Sequence, residues 1–315
     1  MTKVAIVGSG FIGRAWAIVF ARAGHTVSLW DQDENAAGDA IHYIEEVLDD
    51  LARFDLLAGR DVATVLANLN PVVELSEAIE GAAHIQENTP EKIEIKHIIL
   101  PKIDNLADEN AVIASSTSAL LPSKLSETMS GKHRFLVAHP INPPYLVPAV
   151  EVVPAPWTSN EVVEKTRQFM IESGQAPIVM KKEYDGFIMN RMQGALLEEA
   201  YRLVAEGYAS VEDVDIGIRE GLALRWSFMG PFETIDLNAP GGVTDYVDRY
   251  QSIYSNIFPQ TQHRVDWAGE VMETVEAERR SRLPKEDLGT RQQWRDRRMM
   301  ALAAHKKKSD KEFGK

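Results

Sequence analysis

A strand, a glycine turn, a helix and a second strand fill the first 31 residues, and this order limits the fold more than any other stretch. Lys3-Val4-Ala5-Ile6-Val7 is a short apolar, β-branched run that reads as a buried strand. Gly8-Ser9-Gly10-Phe11-Ile12-Gly13 follows at once, then an Ala-rich helical segment (14–23) stopped at Gly24, then an apolar run (26–30) ending on Asp31. Gly8 suits a tight turn, Gly10 lets the backbone approach a pyrophosphate, and Gly13 allows close packing of helix on strand. At Phe11 and Ile12 the helix start offers free N–H groups to phosphates. Three glycines at this spacing are a weak signal alone; a strand before and a helix after make it a dinucleotide turn. Asp31 lies where a carboxylate accepts bonds from adenosine ribose hydroxyls. A 2′-phosphate there would meet a like charge, a repulsion on the order of 4 kcal/mol at about 4 Å and an effective dielectric near 20. NAD is therefore expected rather than NADP. A plainer role for Asp31, capping the next helix, fits the same position.

Strands and helical patterns go on alternating. Residues 71–73, 82–86 and 112–114 read as strands, and 34–57, 61–66 and 93–106 as helical. Alternation of this kind implies parallel βαβ units and an α/β, Rossmann-type doubly wound parallel sheet. In such sheets ligands bind beyond the carboxyl ends of the strands. The glycine turn, the turn Glu87-Asn88-Thr89-Pro90-Glu91, the hydroxyl cluster Ser115-Ser116-Thr117-Ser118 and His139 all fall at that edge. After a helix near 161–173 and a strand at 177–180 the β pattern ends. From Asp185-Gly186 on, only helical spacing remains, with Met189, Met192, Leu196, Ala200, Leu203 and Val204 on one stripe. The expected organisation is a dinucleotide-binding domain at 1–184 and an all-α C-terminal substrate and dimerisation domain at 185–315. Within the latter, Ser210 should start a helix, Gly221 stop it, and the basic end 306–315 form a solvated, partly disordered tail.

The stretch Phe135 to Pro154, FLVAHPINPPYLVPAVEVVP, carries the chemistry. An apolar run meets His139, a loop stiffened by Pro140, Pro143, Pro144 and Pro148 follows, and a second apolar run carries Glu151. Each proline fixes φ and removes a backbone donor, so the loop can continue neither sheet nor helix. A stiff loop between two strands can present a histidine and a carboxylate at a fixed geometry, as a general base held by an acid requires. The same residues also fit a strand-end histidine beside a surface carboxylate.

Composition excludes other classes. The chain has no cysteine, which rules out disulfides, thiolate zinc sites and cysteine nucleophiles and fits a cytoplasmic location; no metal is expected. A formal charge of −13 argues against a nucleic-acid partner. No apolar run is long enough to span a membrane, and no export leader is recognisable.

Taken in order, the glycine turn, Ser118, HPINP, a Glu twelve residues past the His, DGFIMNR and MGPFE resemble the L-3-hydroxyacyl-CoA dehydrogenase superfamily over nearly the whole chain. AHPINPPYLVP, the segment Arg225 to Thr234 and Trp294-Arg295-Asp296 resemble its λ-crystallin branch, whose enzymatic members are L-gulonate 3-dehydrogenases. The resemblance implies that His139 takes the proton of a 3-hydroxyl and that Glu151 orients it. It implies that Ser118 and Asn142 hold the reacting oxygen with Asn190 from the helical domain, and that Glu91 and Lys96 join Asp31 in holding the cofactor. It also implies a homodimer. Asn142 could instead satisfy a turn, and Asn190 cap its helix.

Substrate choice follows from charge. Between residues 34 and 60 stand Glu34, Asp39, Glu45, Glu46, Asp49, Asp50 and Asp55 against only Arg53 and Arg60. Coenzyme A phosphates favour basic residues, and the CoA-using relatives are lysine-rich in this segment. A small free hydroxy acid is therefore expected, L-gulonate first, with Arg225 as the cation for its carboxylate or else a surface ion-pair partner. The alternatives are a 3-hydroxybutyryl-CoA dehydrogenase, a dehydrogenase of another 3-hydroxy acid such as carnitine, and a structural protein on the same scaffold.

Overall fold

The structure, a computed structural model, describes residues 2–314. One sheet holds eight strands in the order β3-β2-β1-β4-β5-β6-β7-β8. These are β1 (Lys3–Val7), β2 (Thr26–Trp30), β3 (Leu69–Pro71), β4 (His84–Glu87), β5 (Val112–Ser115), β6 (Phe135–Pro140), β7 (Ala149–Pro154) and β8 (Ala176–Val179). The first six pair in parallel. β7 runs antiparallel to β6, and β8 follows β7 in parallel. A parallel crossover needs about a dozen residues or more; the loop at 141–148 is shorter, so the chain turns straight back. The sheet is thus mostly rather than wholly parallel.

Helices cover both faces. On one, α1 (Phe11–Ala23) and α2 (Ala36–Arg53) bury Trp16, Phe20, Ile44, Leu48 and Leu51 against the strands. On the other, the helix Ile93–Leu106 buries Ile99, Leu100 and Ile103 beside Phe135. Strand order reverses between β1 and β4, which puts the switch point, where ligands bind in such sheets, beside Gly8 and Asn88. α1 stops as expected at Gly24, whose φ of 94° suits a residue without a Cβ.

The chain divides into two compact units, residues 1–189 with 295–315, and residues 190–294. The basic end is not a loose tail. A final helix, Leu288–Phe313, runs almost to the terminus. Its part in the first unit buries Met300 in the core around α2. Lys307 Nζ donates to Asp55 Oδ2 at 2.6 Å and Arg297 Nε to Asp50 Oδ2 at 3.1 Å. The acidic segment around α2 therefore supplies the partners that order this helix.

The second unit is helical throughout. Ser210 caps Val211–Ile216 by accepting from the Asp213 N–H at 3.1 Å. Gly221 does not stop the helix: the chain continues through a wide turn, Gly217–Leu222, into Ala223–Trp226. Such wide turns keep helical continuity while shifting its register. Among the described residues no helix is long and apolar enough to cross a membrane.

Candidate active site

The glycine turn is held by contacts that leave no room for side chains. Gly8 has φ 93°, and a Cβ there would lie 2.8 Å from the Asn88 carbonyl carbon. A Cβ on Gly13 would lie 1.9 Å from the Gly8 oxygen. Gly10 differs, for a Cβ there would meet nothing within 4 Å. It faces a cavity of about 850 Å³ lined also by Gly8, Trp30, Asp31, Asn88 and Lys102. Phe11 is exposed on the first turn of α1, and Ile12 packs against the core. Asp31 Oδ2 accepts from the Ser9 N–H at 2.7 Å and the Ser9 hydroxyl at 3.1 Å, so the carboxylate is locked at the turn. An open Gly10, helix N–H groups and a fixed carboxylate at the far end are what a dinucleotide requires. The cavity has room for NAD: Gly8, Gly10 and the start of α1 are the groups that could hold its pyrophosphate, and Asp31 the one that could hold its adenosine ribose.

Glu91 and Lys96 lie beside this cavity in a polar network built around Glu87. Glu87 is wholly buried at the end of β4 and accepts from Lys96 Nζ at 2.9 Å and from the Thr89 N–H at 2.6 Å. The Ser115 hydroxyl donates to its other oxygen at 2.5 Å. Lys96 is 1% exposed and also donates to the Thr89 carbonyl. Glu91 Oε1 accepts from the Thr117 hydroxyl at 2.5 Å and from the Ser118 and Ala119 N–H groups at 2.8 and 3.1 Å. The pair thus shapes the loop after β5 and with it the backbone of Ser118. The sequence places Glu87 in a turn at the ligand edge; it instead ends β4, and its pairing with Lys96 and Ser115 has no sequence signal.

At the other end of the edge, β6 and β7 place His139 directly opposite Glu151. His139 Nδ1 donates to Glu151 Oε2 at 2.7 Å. Glu151 Oε1 accepts from the Ile188 and Met189 N–H groups at 2.6 and 2.9 Å, where the helix Met189–Ala205 begins. Burial pushes the Glu151 carboxyl up, but the His139 bond and the two N–H groups outweigh it and hold it below its ordinary value. An ionised Glu151 fixes the proton on Nδ1 and leaves Nε2 as the basic nitrogen. Phe187, fully buried, has φ 49° and its ring lies 5.6 Å from the His139 ring. A bulky residue in the left-handed region is strained, and packing against the imidazole holds it there.

The loop 141–148 is pinned from α1 and α2. Arg22 Nη1 donates to the Tyr145 carbonyl at 2.8 Å, and the Tyr145 and Tyr43 hydroxyls meet at 3.3 Å. Asn142 stands exposed on this loop, and Ser118 stands exposed after β5. Asn190 and Arg225 lie in the helical unit, where Arg225 Nη1 donates to Asn238 Oδ1 at 3.3 Å.

A dinucleotide cavity at the switch point and a carboxylate-held histidine on the same sheet edge define an NAD-dependent oxidoreductase. The chain belongs to the 3-hydroxyacyl-CoA dehydrogenase family, and within it to the λ-crystallin branch. Its residues 3–184 match the family's NAD binding domain and residues 186–282 its C-terminal domain. It is 38% identical over 307 residues to the λ-crystallin of Oryctolagus cuniculus, covering 96% of each chain. It is 36% identical over 249 residues to the L-carnitine dehydrogenase of Streptomyces coelicolor, covering 79% of this chain and 77% of that one. Among solved structures it superposes with a TM-score of 0.82 on an NAD⁺-dependent 5-formyl-3-hydroxy-2-methylpyridine 4-carboxylic acid 5-dehydrogenase, at 28% identity, covering 96% of this chain and 97% of that one.

Proposed function

We propose that the protein oxidises the 3-hydroxyl of a small free hydroxy acid, L-gulonate to 3-dehydro-L-gulonate, with His139 as the general base. The observation that carries this is the His139–Glu151 pair, whose geometry leaves Nε2 free to accept the hydroxyl proton. Such proton removal is typically worth 10²–10⁴-fold. Glu151 remains ionised and stabilises the imidazolium that forms. Ser118 and Asn142, on loops held by Glu91 and by Tyr145, hold the reacting oxygen. NAD held at the glycine turn would supply the acceptor for the hydride that leaves C3.

The charge on α2 supports a free acid over a CoA thioester. Asp50 of α2 and Asp55 just after it already engage the nearby cations Arg297 and Lys307, so these two cations are held by carboxylates rather than left for phosphates. The likeness to L-carnitine dehydrogenases supports a second reading, in which the 3-hydroxy acid is carnitine. We further propose a cytoplasmic homodimer. Among the described residues of 190–294 only Arg202, Thr234, Ala239 and Val271 are buried, while Leu224, Phe228, Phe232 and Ile253 are exposed. A helical unit with so little core needs a cover, and a second copy supplies it by symmetry.

The test follows NADH formation with NAD and L-gulonate, carnitine or 3-hydroxybutyryl-CoA at equal concentrations. Gulonate should react fastest, and His139→Ala should be inactive on it. Faster turnover of the thioester would overturn the reading.

A further inference from the structure

Arg14 follows the last glycine of the turn and is half-buried in the first unit. Its guanidinium lies 3.5 Å from the Tyr43 ring centroid and 4.6 Å from that of Phe11. It forms no ion pair with any described residue. Tyr43 in turn meets Tyr145 of the loop between His139 and Glu151. A guanidinium stacked on aromatic rings keeps its in-plane N–H donors available and loses little freedom when they are used. Asp296 of the final helix acts on Tyr145 but is itself paired with Arg295 at 2.7 Å. Burial holds the Tyr145 phenol well above its ordinary range, so it stays neutral and competes with no anion.

We propose that Arg14 is the cation that binds the carboxylate of the hydroxy acid, an inference that rests on the function proposed above. Its place in the unit that carries His139, at the sheet edge where α1 begins, suits this role. Its fork of donors matches a carboxylate bidentately. Arg225, by contrast, is exposed in the helical unit and donates to Asn238.

The experiment compares wild type, Arg14→Ala, Arg14→Lys and Arg225→Ala by steady-state kinetics, and by calorimetric binding of L-gulonate to the enzyme–NADH complex. Loss of a charge-assisted contact should raise KM and weaken gulonate binding roughly ten- to a hundredfold in Arg14→Ala, with kcat changed far less. Arg14→Lys should recover part of the loss, and NADH affinity should stay unchanged in both variants. Unchanged gulonate binding in Arg14→Ala overturns the proposal and leaves Arg14 a stacking residue. A parallel fall in NADH affinity also overturns it, in favour of the cofactor phosphates, and so does a loss confined to Arg225→Ala. Wild type that binds gulonate through Arg14 without oxidising it upholds the site and overturns only the proposed reaction. Wild type that binds no gulonate overturns both.

Discussion

Glu151 faces His139 across the antiparallel β6–β7 pair, and its two oxygens serve different parts of the chain. Oε2 takes the imidazole N–H at 2.7 Å, while Oε1 takes the N–H groups of Ile188 and Met189 at the start of a helix. One carboxylate thereby ties the base to the point where the first unit ends. Glu151→Gln keeps the shape but carries an amide that cannot accept at both ends. We expect kcat to fall by about 10²–10⁴-fold, the range typical of a lost general base, with NADH affinity unchanged. Full activity in the variant would remove Glu151 from the mechanism.

Lys96 and Glu87 form an ion pair that is almost entirely buried, at 1% and 0% side-chain exposure. Removing one member of such a pair strands the other charge and typically costs about 3–5 kcal/mol. Lys96→Ala should lower urea-unfolding stability by that amount, and the double variant Lys96→Met with Glu87→Gln should recover much of it. Equal losses in the single and double variants would show that packing, not charge, sets the cost.

Asp31 is held by Ser9 at the end of β2 and lines the cofactor cavity. If Asp31 holds the adenosine ribose, Asp31→Ala removes an acceptor of its hydroxyls and the charge that would oppose a 2′-phosphate. A charge-assisted bond contributes roughly 1.5–3 kcal/mol, so NAD affinity should fall at least about tenfold while the preference for NAD over NADP narrows. Fluorescence titration with NADH and NADPH reads both; an unchanged preference would assign discrimination to another residue.

The glycine turn, the βαβ order and the stiff loop between His139 and Glu151 were legible because each depends on local pattern: periodicity, φ-permissive glycine and proline stiffening. What the sequence did not disclose depends on pairing between distant segments. The reversal at β7 comes from a loop too short for a crossover, but only the register shows that it sets His139 against Glu151. The final helix looked like a solvated basic tail because its partners, Asp50 and Asp55, lie some 250 residues earlier in the chain. Gly221 looked like a helix stop because its propensity is poor, yet continuity through a wide turn overrode it. The pairing of Glu87 was hidden because nothing local says that Lys96 and Ser115 will fold back onto it.

His84 should give stability a pH dependence separate from catalysis. It begins β4 at 2% exposure, with its ring 4.4 Å from Phe169 and 5.7 Å from Phe20. Nε2 lies 2.9 Å from Gln86 Oε1, and Nδ1 has no partner. Burial pushes its pKa from 6.5 down to about 4, only partly offset by the Gln86 bond. The unfolded chain therefore takes up a proton near pH 6.5 that the folded chain refuses until about pH 4. Stability is full above 6.5 and lost as pH falls through that window, by about 3 kcal/mol in all. Roughly 2 kcal/mol of this falls between neutral pH and about pH 5, above the range where Glu151 titrates. His25, also depressed chiefly by burial, adds to the same slope. His84→Phe keeps the stacking and removes the titration, so urea unfolding across that interval should show a shallower loss than in wild type. Identical slopes would mean that the folded protein protonates His84 as readily as the unfolded chain does.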